Sequence, residues 1–134
     1  MIIDRYNEFS AGQEVTASAP STNVVDLLAA GAIEAKPMYL HIKVKEGVTA
    51  SGSATVAFAF QTDNDEAFGS ADTLWASAAI GKAVLVDGHQ VVRLAINGMP
   101  LKRYLRVYYT VATGPLTAGA FSAFLSPDAD SNRN

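Results

Sequence analysis

Histidine is the side chain best suited to acid–base chemistry near neutral pH, and this chain of 134 residues has two, His41 and His89. A Ser-His-Asp triad would place one of them beside a nucleophilic serine. No serine stands in a G-x-S-x-G turn. His41 falls on the polar side of an alternating segment, and His89 follows the Asp87-Gly88 turn. We therefore predict that both histidines are solvated and that neither is catalytic.

Four consecutive polar residues, Asp63-Asn64-Asp65-Glu66, offer oxygen atoms of the kind that calcium prefers. An EF-hand loop counted from Asp63 would need an oxygen ligand and then a glycine where this chain has Ala67 and Phe68. A solvated acidic turn fits the residues better, because Asp and Asn favour turns, although a looser calcium site in a sandwich loop stays open. We predict no metal site.

Cysteine is absent from the sequence, which excludes disulfides, zinc ribbons, iron–sulfur clusters and cysteine nucleophiles. Neither nucleotide-binding glycine pattern is present. The acidic residues lie mainly in loops, and no pair of them stands out as the two carboxylates of a glycosidase. We therefore predict that the protein is not an enzyme and holds no cofactor.

A basic cluster with interleaved tyrosines is the most suggestive surface, formed by Lys102, Arg103, Tyr104, Arg106 and Tyr108. On a strand, Tyr104, Arg106 and Tyr108 share one face. Tyrosine and arginine are enriched at protein interfaces, and the same pattern suits a platform for single-stranded nucleic acid. The net charge of −3 disfavours nucleic acid as a partner. Two interpretations of this cluster remain, an ordinary outer sheet face and a protein interface. If it is an interface, we expect contacts at Arg103, Tyr104, Arg106 and Tyr108.

Strands must position these side chains, because apolar and polar residues alternate along most of the chain. The clearest alternation covers Met38–Lys45, Ser53–Thr62 and Arg103–Ala112. The Asp87-Gly88 pair predicts a type I′ hairpin turn, and Asn97-Gly98 is a second such signal. Shorter strands are predicted at Gln13–Ser18, Thr22–Leu27, Thr73–Ser77, Ala83–Val86, Val91–Ile96 and Ala118–Leu125.

About eight or nine strands, with turn signals between them, predict an all-β fold. We expect a jelly-roll-like antiparallel β-sandwich, with an immunoglobulin-like sandwich as the alternative. The hydrophobic fraction of 49% is that of a globular chain. One domain is expected over residues 1–125, followed by a flexible C-terminal tail at residues 126–134. No apolar run approaches the roughly 20 residues of a membrane helix, and the start lacks a secretory pattern, so we expect no membrane partner.

The first nine residues form an N-terminal arm with apolar side chains at Ile2, Ile3, Tyr6 and Phe9. An exposed apolar arm invites aggregation, so we predict that it docks on a partner chain or on the edge of the sandwich. A plain edge strand is the simpler alternative. Alanines on several strands, such as Ala57 and Ala59, indicate either smooth faces that another chain can approach closely or the lining of a narrow core.

Three segments without a catalytic motif carry a family resemblance: Glu8–Ala17, Phe58–Phe68 and Lys102–Ala120. They resemble the cement (capsid-decorating) proteins of tailed bacteriophages, such as that of the Bordetella short-tailed phage. The resemblance implies a jelly-roll protein that forms homo-oligomers, a dimer rather than a trimer, and binds the outer surface of the major capsid protein shell. It further implies a location on the exterior of the virion capsid, after assembly in the host cytoplasm, and no catalytic residues.

Other functions fit the same composition. A carbohydrate-binding sandwich would read sugars with an aromatic side chain such as Trp75 or Tyr108. Another structural protein of the virion head or tail would show the same lack of catalytic motifs. A cupin-type enzyme is disfavoured, because its metal needs clustered histidines and carboxylates and the two histidines here lie far apart in the sequence.

Overall fold

A computed structural model describes residues 8–26, 39–50, 52–96, 100–113 and 115–126. These residues form ten strands and contain no helix, so the described part of the chain holds no helical segment able to span a membrane. The strands are β1 (Glu8–Glu14), β2 (Ala19–Pro20), β3 (Val25–Asp26), β4 (Tyr39–Thr49), β5 (Thr55–Asp63), β6 (Asp72–Ala76), β7 (Ile80–Gly81), β8 (Gln90–Ala95), β9 (Tyr104–Ala112) and β10 (Ala118–Ser126).

Two antiparallel sheets pack face to face. The four-stranded sheet has the order β1-β10-β4-β8, and the six-stranded sheet has the order β2-β9-β5-β6, with β3 paired to β9 and β7 to β5. If β2 with β3 and β6 with β7 count as single interrupted strands, eight strands interleave between the sheets as in a jelly roll. The first two strands lie in different sheets, whereas strands A and B of an immunoglobulin domain share one. The predicted jelly-roll sandwich is confirmed, and the immunoglobulin-like alternative is excluded.

The core lies between the sheets and is built by strict alternation along the long strands. Leu105, Val107 and Tyr109 of β9 are fully buried, while the residues between them face outwards. Because cross-strand partners share a face, Phe58 and Phe60 of β5 point inwards beside Tyr109 and Val107. The buried residues of β4 belong to the opposite sheet. These inward-facing residues of the three strands are buried: Leu40, Ile42, Val56, Phe58, Phe60, Leu105, Val107 and Tyr109.

Aromatic rings join the two sheets at the centre of this core. Phe58 of the six-stranded sheet meets Phe121 of the four-stranded sheet edge to face, with ring centroids 5.1 Å apart. Phe58 also lies against Tyr109 at 5.7 Å, and Tyr109 stacks on Phe121 at 5.3 Å. Offset and edge-to-face pairs of this kind stabilise a core beyond the area that they bury.

The phenol of Tyr109 brings a hydrogen-bonded polar chain into the core. Its hydroxyl donates to Ser10 Oγ at 2.8 Å, and Ser10 Oγ donates to Gln13 Oε1 at 2.6 Å. The amide of Gln13 continues the chain to the backbone of Pro20 and Thr22. Burial raises the pKa of Tyr109 to about 12, because the ionised phenolate would lose its solvation there.

The first strand begins earlier than predicted, at Glu8 rather than Gln13. Its pairing with β10 shifts register between Glu8 and Ser10, so that Phe9 and Ser10 both point into the core. Such a bulge breaks the alternation on which the prediction depended. The predicted arm residues Ile2, Ile3 and Tyr6 lie outside the described residues.

The predicted strand Ala83–Val86 is wrong, because this segment is a turn that follows β7. Gly88 has a positive φ of 81°, but Asp87 does not, so the turn is not type I′. The backbone after Val86 pairs with β4 instead of forming its own hairpin: Gly88 N–H donates to Val44 O at 2.9 Å. The Asn97-Gly98 signal lies outside the described residues, as does the predicted tail beyond Ser126, where β10 ends.

Candidate protein interface

The outer face of the six-stranded sheet carries the side chains predicted to form an interface. Strand β9 lies in the middle of this sheet, between β5 on one side and β2 with β3 on the other. Because Leu105, Val107 and Tyr109 point inwards, alternation turns Tyr104, Arg106 and Tyr108 outwards, as predicted. The structure thus places these three residues together on one face.

A row of small and apolar residues crosses four strands at Tyr108. Tyr108 is paired with Ala59 of β5 on one side and with Pro20 of β2 on the other. Ala59 is paired in turn with Ala76 of β6. Pro20 and Ala76 are exposed, and Tyr108 and Ala59 are partly exposed. The row has no charged side chain, and two of its four residues are alanines, so another protein surface can approach the sheet closely beside Tyr108.

Arg106 borders this row and is held flat against the sheet. Its Nε donates to Gln61 Oε1 at 2.7 Å, and its guanidinium lies over the rings of Phe68, at 4.4 Å, and Tyr108, at 5.3 Å. Partial burial lowers the pKa of Arg106, although it stays charged at neutral pH. A guanidinium already ordered by rings loses less entropy when a partner covers it, which suits an interface arginine.

Arg103 and Lys102 are engaged by carboxylates at one end of the face. Arg103 forms a fork with Asp26 through Nε at 2.9 Å and Nη2 at 3.1 Å, and it lies over the ring of Tyr104 at 4.9 Å. The hydrogen bonds that Arg103 donates to the Asp26 carboxylate are the main reason that the pKa of Arg103 is raised. Lys102 pairs with Asp72 at 2.6 Å. Both pairs are substantially exposed and stabilise the fold little.

These contacts remove the excess positive charge that the sequence pattern suggested. Two of the three cations meet a carboxylate, and Arg106 is covered by an amide and two rings. Nucleic acid is bound chiefly by unneutralised cations that replace its counterions. The face is therefore better suited to a protein surface than to a polynucleotide.

Asp63 organises the loop beside this face rather than standing in solvent. It is 5% exposed, and its carboxylate accepts backbone N–H groups from Asn64, Asp65 and Ser70. These hydrogen bonds, that from Ser70 first, lower the pKa of Asp63. The prediction of a solvated acidic turn is thus wrong for Asp63, while Asp65 and Glu66 are exposed. No cluster of potential metal ligands occurs in the part of the chain that the structure describes.

Phe9 needs a correction as an interface residue. Its side chain is fully buried in the core and meets Phe60 edge to face at 6.1 Å. The bulge at the start of β1 turns it inwards, so its own sandwich already occupies the surface that a partner would have covered. Phe9 thus belongs to an edge strand, which was the simpler alternative, and its side chain fills the core.

His41 is also placed differently from the prediction. It was expected to be solvated, yet it is fully buried and stacks on Phe124, with centroids 5.0 Å apart. Its Nδ1 lies 3.4 Å from Gln90 Nε2. Alternation identified the face of β4 that carries His41 but not the ring that covers it. His89 is partly exposed, and its carbonyl accepts a backbone hydrogen bond from Val44.

Trp75, one of the two aromatic residues suggested for sugar binding, packs against the core. It is paired with the inward-facing Phe60 and is only partly exposed. A sugar-binding platform needs an open aromatic face, so this contact weakens the carbohydrate alternative at Trp75.

Several residues of the face escaped the sequence analysis. Gln61 and Phe68 hold Arg106, Asp26 holds Arg103, and Pro20 extends the apolar row. The contact between Gln61 and Arg106 could not be predicted, because it depends on the register of β5 against β9. No local pattern marks Pro20 or Asp26 as neighbours of β9.

A comparison with protein-family models shows to which family the chain belongs. The Bbp16 family model matches residues 9–125, which is almost the whole sandwich. The chain belongs to the Bbp16 family. Bbp16 comes from a Bordetella phage, so the predicted relationship is confirmed as far as a phage-related family. No curated protein matches the chain.

The range of the family match covers the candidate interface. The match begins at Phe9 and ends at Leu125, so the Bbp16 pattern includes all of β2 to β9 and nearly all of β1 and β10. The outer face of the six-stranded sheet, with Pro20, Ala59 and Tyr108, therefore lies within the Bbp16 match.

Proposed function

We propose that this Bbp16-family protein is a capsid cement protein, which binds the outer surface of the major capsid protein shell of a phage and stabilises it. The observation that carries the proposal is the family match over residues 9–125, because it covers the sandwich and not a single motif. The resemblance of three segments to cement proteins points the same way. The protein would then lie on the exterior of the virion.

The outer face of the six-stranded sheet supplies the contact in this proposal. The row from Pro20 to Ala76 is uncharged, and it lies beside an ordered arginine. Interface cores are depleted in charge and enriched in tyrosine and arginine, which matches this row with Tyr108 at its centre and Arg106 at its border. The dense core behind it keeps the face in one shape, so little conformational entropy is lost on docking.

Stabilisation of the shell follows from adhesion alone. A rigid body that contacts two shell subunits ties their separation to its own binding energy. Each contact can be modest, below about 1,200 Å² of buried area. If two copies act together, the second docking event is intramolecular, which raises avidity by roughly 10²–10⁴ without any new contact.

We propose a dimer as the working state, because it offers two identical docking faces. Multi-angle light scattering of the purified protein is expected to give twice the chain mass of 14.1 kDa. A mass of one or three chains at micromolar concentration would contradict the dimer and leave the docking face to be judged separately.

Tyr108→Ala is expected to weaken capsid binding by about 30-fold, because a central tyrosine is a frequent hot spot. The measurement is co-sedimentation with emptied capsids over a range of protein concentrations. Arg106→Ala is expected to weaken binding in the same direction, and Lys45→Ala is its matched control, since it removes an exposed cation from a strand of the other sheet.

Two outcomes distinguish the proposed cement role from the proposed contact through the outer face of the six-stranded sheet. If the unmodified protein does not sediment with capsids, the cement role is refuted. If it does, and Tyr108→Ala and Arg106→Ala bind equally well with unchanged melting temperatures, the role stands and this face is not the contact.

A further inference from the structure

Arg106 differs from the other two cations of the basic cluster, because it meets no carboxylate in the part of the chain that the structure describes. Arg103 shows what an arginine of this face binds when an acid is within reach. Its Nε and Nη2 donate to the two oxygens of Asp26 at 2.9 and 3.1 Å. Lys102 is likewise paired with Asp72. The charge of Arg106 is therefore the one in this cluster that is left without an opposite charge.

Asp63, the carboxylate whose charge acts on Arg106, is already occupied by backbone donors. Its Oδ1 accepts the N–H groups of Asn64 and Asp65, and its Oδ2 accepts that of Ser70. The side chain is also buried within its loop. Asp63 thus attracts the guanidinium from a distance but does not form an ion pair with it.

The guanidinium of Arg106 is fixed in one orientation by its neighbours. Its Nε donates to Gln61 Oε1 at 2.7 Å, and Gln61 Nε2 lies 3.5 Å from Thr73 Oγ1, which turns the amide oxygen towards the arginine. The rings of Phe68 and Tyr108 lie against the guanidinium. These contacts hold the group in place before any partner arrives.

The terminal nitrogens, Nη1 and Nη2, are the donors of Arg106 that remain unused. A guanidinium has five N–H donors, and the bond to Gln61 uses only the one on Nε. Among the described residues, no buried side-chain nitrogen lacks a hydrogen-bond partner, so both terminal nitrogens must reach solvent. Arg106 therefore presents a charged, oriented pair of donors on the outer face of the sheet.

We infer that Arg106 binds a carboxylate of the partner surface, an aspartate or glutamate side chain that accepts hydrogen bonds end-on from Nη1 and Nη2. The inference rests on the proposed cement role and names the chemistry of the partner at the same face. Two parallel N–H···O bonds match the planar fork of an arginine to the two oxygens of a carboxylate. A phosphate would fit the same donors, but nucleic acid needs several unneutralised cations and this cluster offers one.

Two variants test the charge and the fork of Arg106 separately. Arg106→Lys keeps the positive charge but loses the two parallel donors, and Gln61→Glu keeps Arg106 but gives it a carboxylate from its own sheet. Each is expected to raise the apparent Kd for emptied capsids about tenfold, because a charge-assisted hydrogen bond is weakened. Lys45→Ala is the matched control for Gln61→Glu, since it shifts the net charge of −3 by the same one unit on the other sheet. Thermal melting verifies that each variant is folded.

A cross-linking experiment identifies the acid itself. Carbodiimide joins a lysine amine to a carboxylate in contact with it, with loss of water, and does not couple a guanidinium. Arg106→Lys is bound to emptied capsids at saturating concentration and then treated with carbodiimide. Mass spectrometry is expected to find position 106 joined to an aspartate or glutamate of the major capsid protein, and the unmodified protein should give no link at this position.

The possible results distinguish this contact from the cement role. Unchanged capsid binding by either Arg106→Lys or Gln61→Glu overturns the carboxylate contact and leaves the cement role intact. The absence of a link at position 106, or a link only to a second copy of this chain, overturns the contact as well. If the unmodified protein does not sediment with capsids, the cement role and this contact are refuted together.

Discussion

Phe58→Ala is expected to lower the free energy of unfolding by about 3–5 kcal/mol, a large part of what holds a domain of this size together. Phe58 is 1% exposed and touches Tyr109 of its own sheet and Phe121 of the opposite sheet. Truncation removes the ring that joins the two layers and leaves a cavity that neighbours on two rigid sheets cannot fill. Urea unfolding followed by tryptophan fluorescence measures the loss.

Two further variants make that measurement specific. Phe58→Leu keeps most of the buried volume and should lose clearly less stability than the alanine variant. Ala57→Ser, the preceding residue on the outer side of the same strand, should stay within about 0.5 kcal/mol of the unmodified protein. A loss below about 1 kcal/mol for Phe58→Ala would contradict the central place of this ring.

Alkaline pH is expected to remove about 3 kcal/mol of stability through Tyr109. Its pKa is raised from 10.0 to about 12 in the folded protein, so above pH 10 the unfolded state releases the phenolic proton while the folded state retains it. The stabilisation is therefore complete below pH 10 and is lost as the pH rises to about 12. Urea unfolding at pH 9 and at pH 11.5 should show about 2 kcal/mol of this loss, because the folded phenol is not yet fully ionised at pH 11.5.

Tyr109→Phe provides the control for this titration. The variant keeps the ring stacked on Phe121 but cannot ionise, so its stability should fall much less between the two pH values. At neutral pH it should lose about 1 kcal/mol, because the hydrogen bond to Ser10 Oγ at 2.8 Å is removed. Equal alkaline losses in both proteins would show that another group controls the transition.

The fold was predictable where alternation is long and unbroken. The segments that became β4, β5 and β9 each alternate for eight residues or more, and the buried faces follow directly. Bulges and turns defeated the same reasoning. The bulge at Phe9 and Ser10 hid the start of β1, and the pairing of Gly88 with β4 replaced the expected hairpin. These features depend on a neighbouring strand, which local sequence does not reveal.

The sequence predicted which side chains of the candidate site share one face of β9, but not which residues of other strands contact them. Period two placed Tyr104, Arg106 and Tyr108 together, as observed. It could not supply their partners on β5 and β2, because partners are set by strand order and register, and strand order was beyond reach from one sequence. The burial of His41 was missed for the same reason. The ring that covers it comes from β10, more than 80 positions away in the sequence.

The pairing of the first strand with the last also determines when, during its synthesis, this chain can fold. Glu8 of β1 lies opposite Phe124 of β10, and β10 separates β1 from β4 in the sheet. While the ribosome still holds the end of the chain, β1 has no strand to join and β4 has an open edge. Because β10 must be made before it can pair with β1 and β4, the sandwich closes only after synthesis has passed residue 126. Pairing over so long a span is also slow. In the proposed cement role, a capsid shell would therefore meet only molecules whose last strand has been made.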